Sequence, residues 1–286
     1  MAQRIAFLGP AGTFSEDALL SAAANADIEP QPRPSVYAAI RAVVEGEADR
    51  ALVPFENSIE GAVRSTLDTL AFEAAGVAIA GEHDHAIRHS LIARTELPLD
   101  GIEVILSHPQ ASAQCARFIR EELSGATVRP AASTADAVRM VAASDEPLAA
   151  LGAASAARIY CCVVLRDGVE DDPDNVTRFV WIAPEGTEPT GDGPWRTTLV
   201  FSELGADHPG ALVEALTEFS SRDVNLTRIE SRPLRQGLGR YMFFCDLEGR
   251  ERDPSVAEGI EALRGKAESV RILGSYPIAA NGVPGT

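Results

Sequence analysis

The chain has 286 residues, long for one domain and comfortable for two, and 45% apolar residues, so it can bury a sizeable core. A net charge of −17 argues against a nucleic-acid surface, which needs clustered Arg and Lys. No apolar run nears the roughly 20 residues of a membrane helix, and Met1-Ala2-Gln3-Arg4 shows no signal-peptide pattern, so a cytoplasmic protein is expected.

Arg4 to Leu8 is a buried strand, followed by Gly9-Pro10-Ala11-Gly12-Thr13-Phe14-Ser15 and a helix from Glu16 to Ala24, where Thr13 and Glu16 form a capping box. A helix over Ser35–Glu45 and a short strand over Ala51–Val53 lead into Glu56-Asn57-Ser58. A helix near 62–74 comes next, with strands near 77–80 and 86–93. The strand Val104–Leu106 ends in Ser107-His108-Pro109-Gln110 and a helix to about Leu123. Strands over 127–131, 148–151, 163–165 and 177–182 enclose helices over 134–142 and 153–160. Polar loops recur after strands, where open α/β sheets place ligand crevices.

Residues 185–194 hold prolines and glycines but no aliphatic side chain, which predicts a linker. Beyond it the order is strand (195–202), helix (209–221), strand (225–232), strand (240–247), helix (255–266) and strand (270–276), a ferredoxin-like βαββαβ unit. Residues 279–286 are a tail.

Four polar clusters could carry chemistry. The first glycine loop lets backbone N–H groups approach an anion at a helix N-terminus, or is a tight turn with a cap. Glu56-Asn57-Ser58 sets a carboxylate, an amide and a hydroxyl at a strand end, or caps a helix. In Ser107-His108-Pro109-Gln110, Gln114 lies one helical turn beyond Gln110, and His108 is either a base or a structural histidine. Thr177 and Arg178 open an apolar strand, so one of them should project into a crevice. Arg178 either binds a carboxylate there or pairs with Asp172 or Asp174. Four cysteines show neither zinc nor CxxC spacing; the adjacent Cys161 and Cys162 could form a strained vicinal disulfide, but buried reduced thiols are expected. Lys266 is the only lysine among abundant Asp, Glu and Arg, a balance that fits either a surface screened at high salt or a G+C-rich genome.

In this order the runs resemble the prephenate dehydratase family: Gly-Pro-x-Gly-Thr-Phe-Ser, Glu-Asn-Ser-x-x-Gly, Ser-His-Pro-Gln and Thr-Arg-Phe. A regulatory segment matches as well, with Asn225-Leu226-Thr227, Glu230-Ser231-Arg232-Pro233 and Gly210-Ala211-Leu212. The resemblance covers nearly the whole chain, from about Arg4 to Tyr276. It implies a periplasmic-binding-protein-like catalytic domain over 1–184, with lobe one at about 1–78 and 162–184 and lobe two at about 79–161. An ACT domain over 195–278 would bind L-phenylalanine between paired copies, through Gly210, Ala211, Leu212, Asn225, Leu226, Glu230, Ser231, Arg232 and Pro233, which implies a homodimer or homotetramer. The catalytic groups implied are Thr177, Asn57, Ser107, Gln114 and Arg178, with Thr13, Ser15, Glu56, Ser58 and Phe179 lining the substrate site. The implied reaction converts prephenate to phenylpyruvate, with water and CO2 leaving. Ring aromatisation drives it, so neither cofactor nor metal is implied. Cys161 stands where the family usually has glycine, which puts the local backbone in question.

Overall fold

Apolar runs bounded by turn residues become the strands of three sheets. The computed structural model describes residues 2–23, 26–191, 193–204 and 208–278; the expected tail, Asp192 of the linker and Ala24 at the expected end of the first helix lie outside them. The chain begins with β1 (Gln3–Leu8), α1 (Phe14–Ala22), β2 (Ile28–Arg33), α2 (Val36–Val44), β3 (Arg50–Asn57), β4 (Gly61–Ala62), α3 (Arg64–Phe72) and β5 (Val77–Ala86). It continues through β6 (Ser90–Ala93), β7 (Val104–Ser107), α4 (Pro109–Gln114), α5 (Ala116–Glu122), β8 (Thr127–Pro130), α6 (Thr134–Ala142), β9 (Leu148–Gly152), α7 (Ala154–Ile159) and β10 (Val163–Arg166). The last elements are β11 (Val176–Pro184), β12 (Trp195–Ser202), α8 (Ala211–Ser220), β13 (Leu226–Pro233), β14 (Tyr241–Glu248), α9 (Pro254–Arg264) and β15 (Ser269–Pro277).

The first sheet has the order β2-β1-β3-β11-β5 with β4 beside β3, the second β10-β6-β9-β7-β8, and the third β13-β14-β12-β15. Two α/β lobes joined by two crossovers, at residues 87–89 and 167–175, therefore precede the βαββαβ unit. This is the two-lobed plan expected from the sequence. The chain divides elsewhere than expected: β5 stays in the first sheet to Ala86, and β10 belongs to the second. Two strands outgrow their sequence signals. β2 carries two prolines, tolerated because it is an edge strand whose missing N–H groups break no ladder. β5 runs on through the polar Glu82-His83-Asp84-His85, paired residue by residue with β11.

The first sheet is covered on both faces. Ile5, Phe7, Leu52, Phe179 and Trp181 meet α1. Ala6, Val53, Phe55, Val180 and Ile182 meet α2, α3 and the third sheet, which contributes Val200, Met242, Phe244, Leu273 and Tyr276 to the same core. The far face of the third sheet carries α8 and α9 through Phe219, Ile260 and Leu263. β15 lies so close to β5 that a Cβ at Gly274 would stand 2.1 Å from the Ile79 carbonyl oxygen. Glycine there is the condition for the two sheets to stack.

Candidate active site

In a strand, neighbouring side chains point to opposite faces. Thr177 and Phe179 of β11 therefore share the α1 side of the first sheet, whereas Arg178 and Val180 share the other. The pairing of β11 with β3 sets Thr177 opposite Asn57 and Arg178 opposite Glu56, then skips one residue, so that Phe179 faces Pro54. This bulge turns both Glu56 and Phe55 toward the third sheet, while Asn57 and Pro54 remain on the cleft side.

The cleft encloses about 780 Å³. Its wall is largely apolar, including Phe14, Val63, Ile87 and Phe179, with Asn57, Gln114, His89 and Thr177 among the polar groups. The backbone N–H groups of Ile59 and Glu60 each donate 3.0 Å bonds to Asn57 Oδ1, which fixes the orientation of that amide. Asn57 Nδ2 then donates to Thr177 Oγ1 at 2.9 Å and to Asn175 Oδ1 at 2.8 Å. Asn175 Nδ2 donates to Gln114 Oε1 at 3.1 Å, and His89 Nε2 lies 3.0 Å from the same oxygen. Burial holds the His89 imidazole below its usual 6.5 despite the opposing hydrogen bond to Gln114, so the ring is neutral at pH 7.

On the opposite wall Thr13 caps α1, accepting from the Glu16 N–H, while Glu16 Oε2 accepts from the Gly12 N–H at 2.7 Å. The reciprocal cap expected from the sequence is thus present, displaced by one residue on the return bond. Gly12 has φ +84°, and a Cβ there would press on Ala156 and Tyr160 of the other lobe. The lobes also touch where the Tyr160 hydroxyl donates to the Ala11 carbonyl at 3.1 Å, and where Ser155 Oγ donates to Asp17 at 2.8 Å. Ser15 and Thr13 line the cleft, as does His108, whose Nδ1 accepts from the Gln110 N–H and so caps α4.

Several expected site residues lie elsewhere. Arg178 is on the back of β11, its guanidinium 2.6 Å from Asp246, 2.8 Å from Glu56 and 3.5 Å from Glu82. Burial alone would depress its pKa, yet Asp246 and Glu82 carry it above its ordinary value. Arg196 joins through Glu82 and Arg228 through Glu56, so three guanidiniums meet three carboxylates between the lobe and the third sheet. Arg178 and Arg228 also both lie over the Phe55 ring. Strand alternation removes Arg178 and Glu56 from the cleft. Ser107 is fully buried and donates to the carbonyl of Leu151 in β9, the strand beside β7. Ser58 closes the β3 end by accepting from the Val176 N–H.

In the regulatory segment, Gly210 precedes α8 with φ +98°, and Ala211 and Leu212 begin it. Asn225 and the strand Leu226–Pro233 form one edge of the third sheet, carrying Glu230, Ser231 and Pro233. Arg232 is already engaged: it grips Asp68 of α3 at 3.0 and 2.8 Å, with Arg235 on the same carboxylate.

Three residues of the site escaped the sequence analysis. Arg33 lines the cleft at the end of β2, held 3.1 Å from Glu47. His89 and Asn175 sit in the two crossovers. Asn175 immediately precedes the Thr-Arg-Phe strand, a signal that could have found it; His89 stands in no motif. Among the described residues no group of three or more His, Cys, Asp or Glu could hold a metal ion.

The family model described as Prephenate dehydratase matches residues 5–187, and the one described as ACT domain matches residues 198–265. A prephenate dehydratase of Mycobacterium marinum is 40% identical over 282 residues, covering 96% of this chain and 88% of that protein. The crystal structure of the Arthrobacter aurescens prephenate dehydratase in complex with L-Phe superposes with a TM-score of 0.88 at 40% identity, over 96% of this chain and 90% of that one. GqqA, described as a novel type of quorum quenching acylase, superposes with a TM-score of 0.84 at 32% identity, over 97% and 98% of the two chains. With the two-lobed cleft, its amide-bound threonine and the appended βαββαβ unit in place, these matches show that the chain belongs to the prephenate dehydratase family.

Proposed function

We propose that this chain converts prephenate to phenylpyruvate in its cleft and that L-phenylalanine, bound at the C-terminal unit, controls the rate. The observation that carries the reading is the direction of the Asn57–Thr177 hydrogen bond. Thr177 Oγ1 accepts from the amide, which leaves its own proton available to the cleft it lines. In the reaction the bond to the ring carboxylate breaks and CO2 departs. The released electron pair enters the ring as it becomes aromatic, and the C4 hydroxyl leaves. Thr177 donates a hydrogen bond to that oxygen as negative charge develops on it, an interaction stronger in the transition state than in the bound substrate.

Electrostatics support the same arrangement. With Arg178 turned away, the N–H groups at the start of α1 and the Arg33 guanidinium, which line the cleft, are positive groups that can meet the substrate carboxylates. Phe14, Val63, Ile87 and Phe179 offer the ring carboxylate little solvation, which favours its loss as CO2. The hydroxyl needs a proton to leave as water, and with Glu56 engaged by Arg178 and Arg228 behind the sheet, His108 of the cleft wall or water supplies it. Ser107, at the end of β7, ties that strand to β9 and holds the sheet rather than the substrate.

Acylase chemistry fits the site less well. A threonine nucleophile must give its proton to a base, whereas the neighbour of Thr177 Oγ1 is the Asn57 amide, which donates a hydrogen bond to the oxygen and lowers its nucleophilicity. The regulatory reading rests on the ACT match and on the ionic contacts that tie β13 and β14 to the back of β3 and β11. An effector site shared between paired copies carries with it a homodimer or homotetramer. The experiment is to supply prephenate to the purified chain and follow phenylpyruvate, with and without L-phenylalanine, beside parallel incubations with arogenate and an N-acyl amide. Phenylpyruvate suppressed by phenylalanine is the expected result. Turnover of the amide alone would replace the reading, and phenylpyruvate indifferent to phenylalanine would remove its regulatory half.

A further inference from the structure

Between the two crossovers lies a run of hydrogen bonds whose direction can be read from end to end. At one end the backbone N–H groups of Ile59 and Glu60 commit Asn57 Oδ1 to accepting, so Asn57 Nδ2 can only donate, with its two shortest bonds to Asn175 Oδ1 and Thr177 Oγ1 and a longer one, at 3.2 Å, to the Val176 carbonyl. Asn175 therefore presents its Nδ2 to Gln114 Oε1. That oxygen can only accept, so the proton of the neutral imidazole is on His89 Nε2, which donates to it. His89 Nδ1 is left as a buried bare lone pair with no partner, so a second proton on this ring would find no acceptor. Both outer residues are almost fully enclosed, His89 at 2% and Asn175 at 1% exposure. Bonds to their main chain clamp them: Ile87 N–H to the Asn175 carbonyl, Val169 N–H to the His89 carbonyl, and His89 N–H to the Glu170 carboxylate.

We propose that His89 and Asn175 are positioning residues for the dehydration. Anchored in opposite crossovers, they set the Gln114 amide and hold the main-chain-oriented Asn57 in place, so that the Thr177 proton stays directed toward the departing hydroxyl. Gln114 comes from the second lobe and Asn57 from the first, so the run is complete only at the hinge angle that brings the two together. The two main-chain N–H groups on Asn57 Oδ1 polarise that amide, and its donation to Thr177 Oγ1 makes the threonine hydroxyl a stronger donor than an isolated alcohol. The inference rests on the dehydratase reading above.

The test compares H89F, H89Q, N175A and N175D with the unaltered chain, each first shown to be folded by its melting curve. Glutamine can place an amide N–H where His89 Nε2 stands; phenylalanine cannot, and aspartate at 175 cannot donate to Gln114. Expected for H89F, N175A and N175D is a fall in kcat of about 10- to 100-fold with KM within about threefold. H89Q should recover most of the H89F loss. Folded H89F with near-normal kcat, or H89Q no better than H89F, would overturn the positioning role while leaving the reaction intact. An unaltered chain that makes no phenylpyruvate would overturn the dehydratase reading and this role with it.

Discussion

Thr177 and Arg178 are consecutive, yet one faces the cleft and the other an ionic cluster. The sequence shows that one of them enters a crevice but not which, because alternation has two solutions until the covering layers are placed. The resemblance put both in the site, and only the position of Asp246, a partner 68 residues away, removes Arg178. At Thr177 the prediction is direct: Thr177→Val keeps the shape, removes the donor, and should lower kcat by about 100-fold or more with little change in KM. Steady-state kinetics with prephenate check it, and near-normal kcat would end the donor role. A second residue-scale prediction concerns Cys161, which adopts φ +55°. The departure from glycine noted in the sequence therefore falls on a left-handed backbone position. Cys161→Gly should raise stability by up to about 1 kcal/mol, read from denaturant melts.

At the scale of elements, the central strands were legible where apolar runs met turn residues, and β12 falls on the expected Trp195–Ser202. What escaped has physical causes. β2 is proline-rich and β5 is half polar, since edge strands obey weaker patterning than central ones. The helix expected to run to about Leu123 breaks at Cys115 into α4 and α5. The bulge that turns Phe55 and Glu56 to the same face leaves no periodic trace, because it breaks the period. It places Glu56 within reach of Arg178 and Arg228, so the β3–β11 pair and the third sheet share one charge cluster. Asp246 is fully buried within that cluster. Asp246→Ala leaves Arg178 with a lost partner in a water-poor site and should cost about 3–5 kcal/mol in chemical denaturation. A loss below about 1 kcal/mol would mean that Glu56 and Glu82 already neutralise Arg178 without help.

For the whole molecule, titration gives the clearest expectation. Burial, the leading cause in each case, holds His83, His85 and His89 below 6.5 in the folded chain. Below about pH 6.5 the unfolded chain binds more protons at these rings, so stability is full above that pH and declines as pH falls through it. Asp68 adds to the decline at lower pH: burial would raise its carboxyl, but Arg232 and Arg235 outweigh it and hold the pKa down. Melting temperature should therefore drop between pH 7 and pH 5, and a flat profile would contradict neutral imidazoles at the buried His89 and the half-buried His83 and His85. The same melts in molar KCl test the acidic surface, whose net charge of −17 predicts a rise in stability with salt if the high-salt reading is right. The back-to-back placement of Thr177 and Arg178 also constrains how such a chain can change over generations. Gain or loss of a single codon between Arg178 and Phe179 inverts the parity of Thr177 and Arg178 relative to the rest of the strand, turning a guanidinium toward the substrate chamber and a hydroxyl toward three carboxylates. Lineages can lengthen the surface loops freely, but at β11 only changes that preserve odd and even will keep both faces at once.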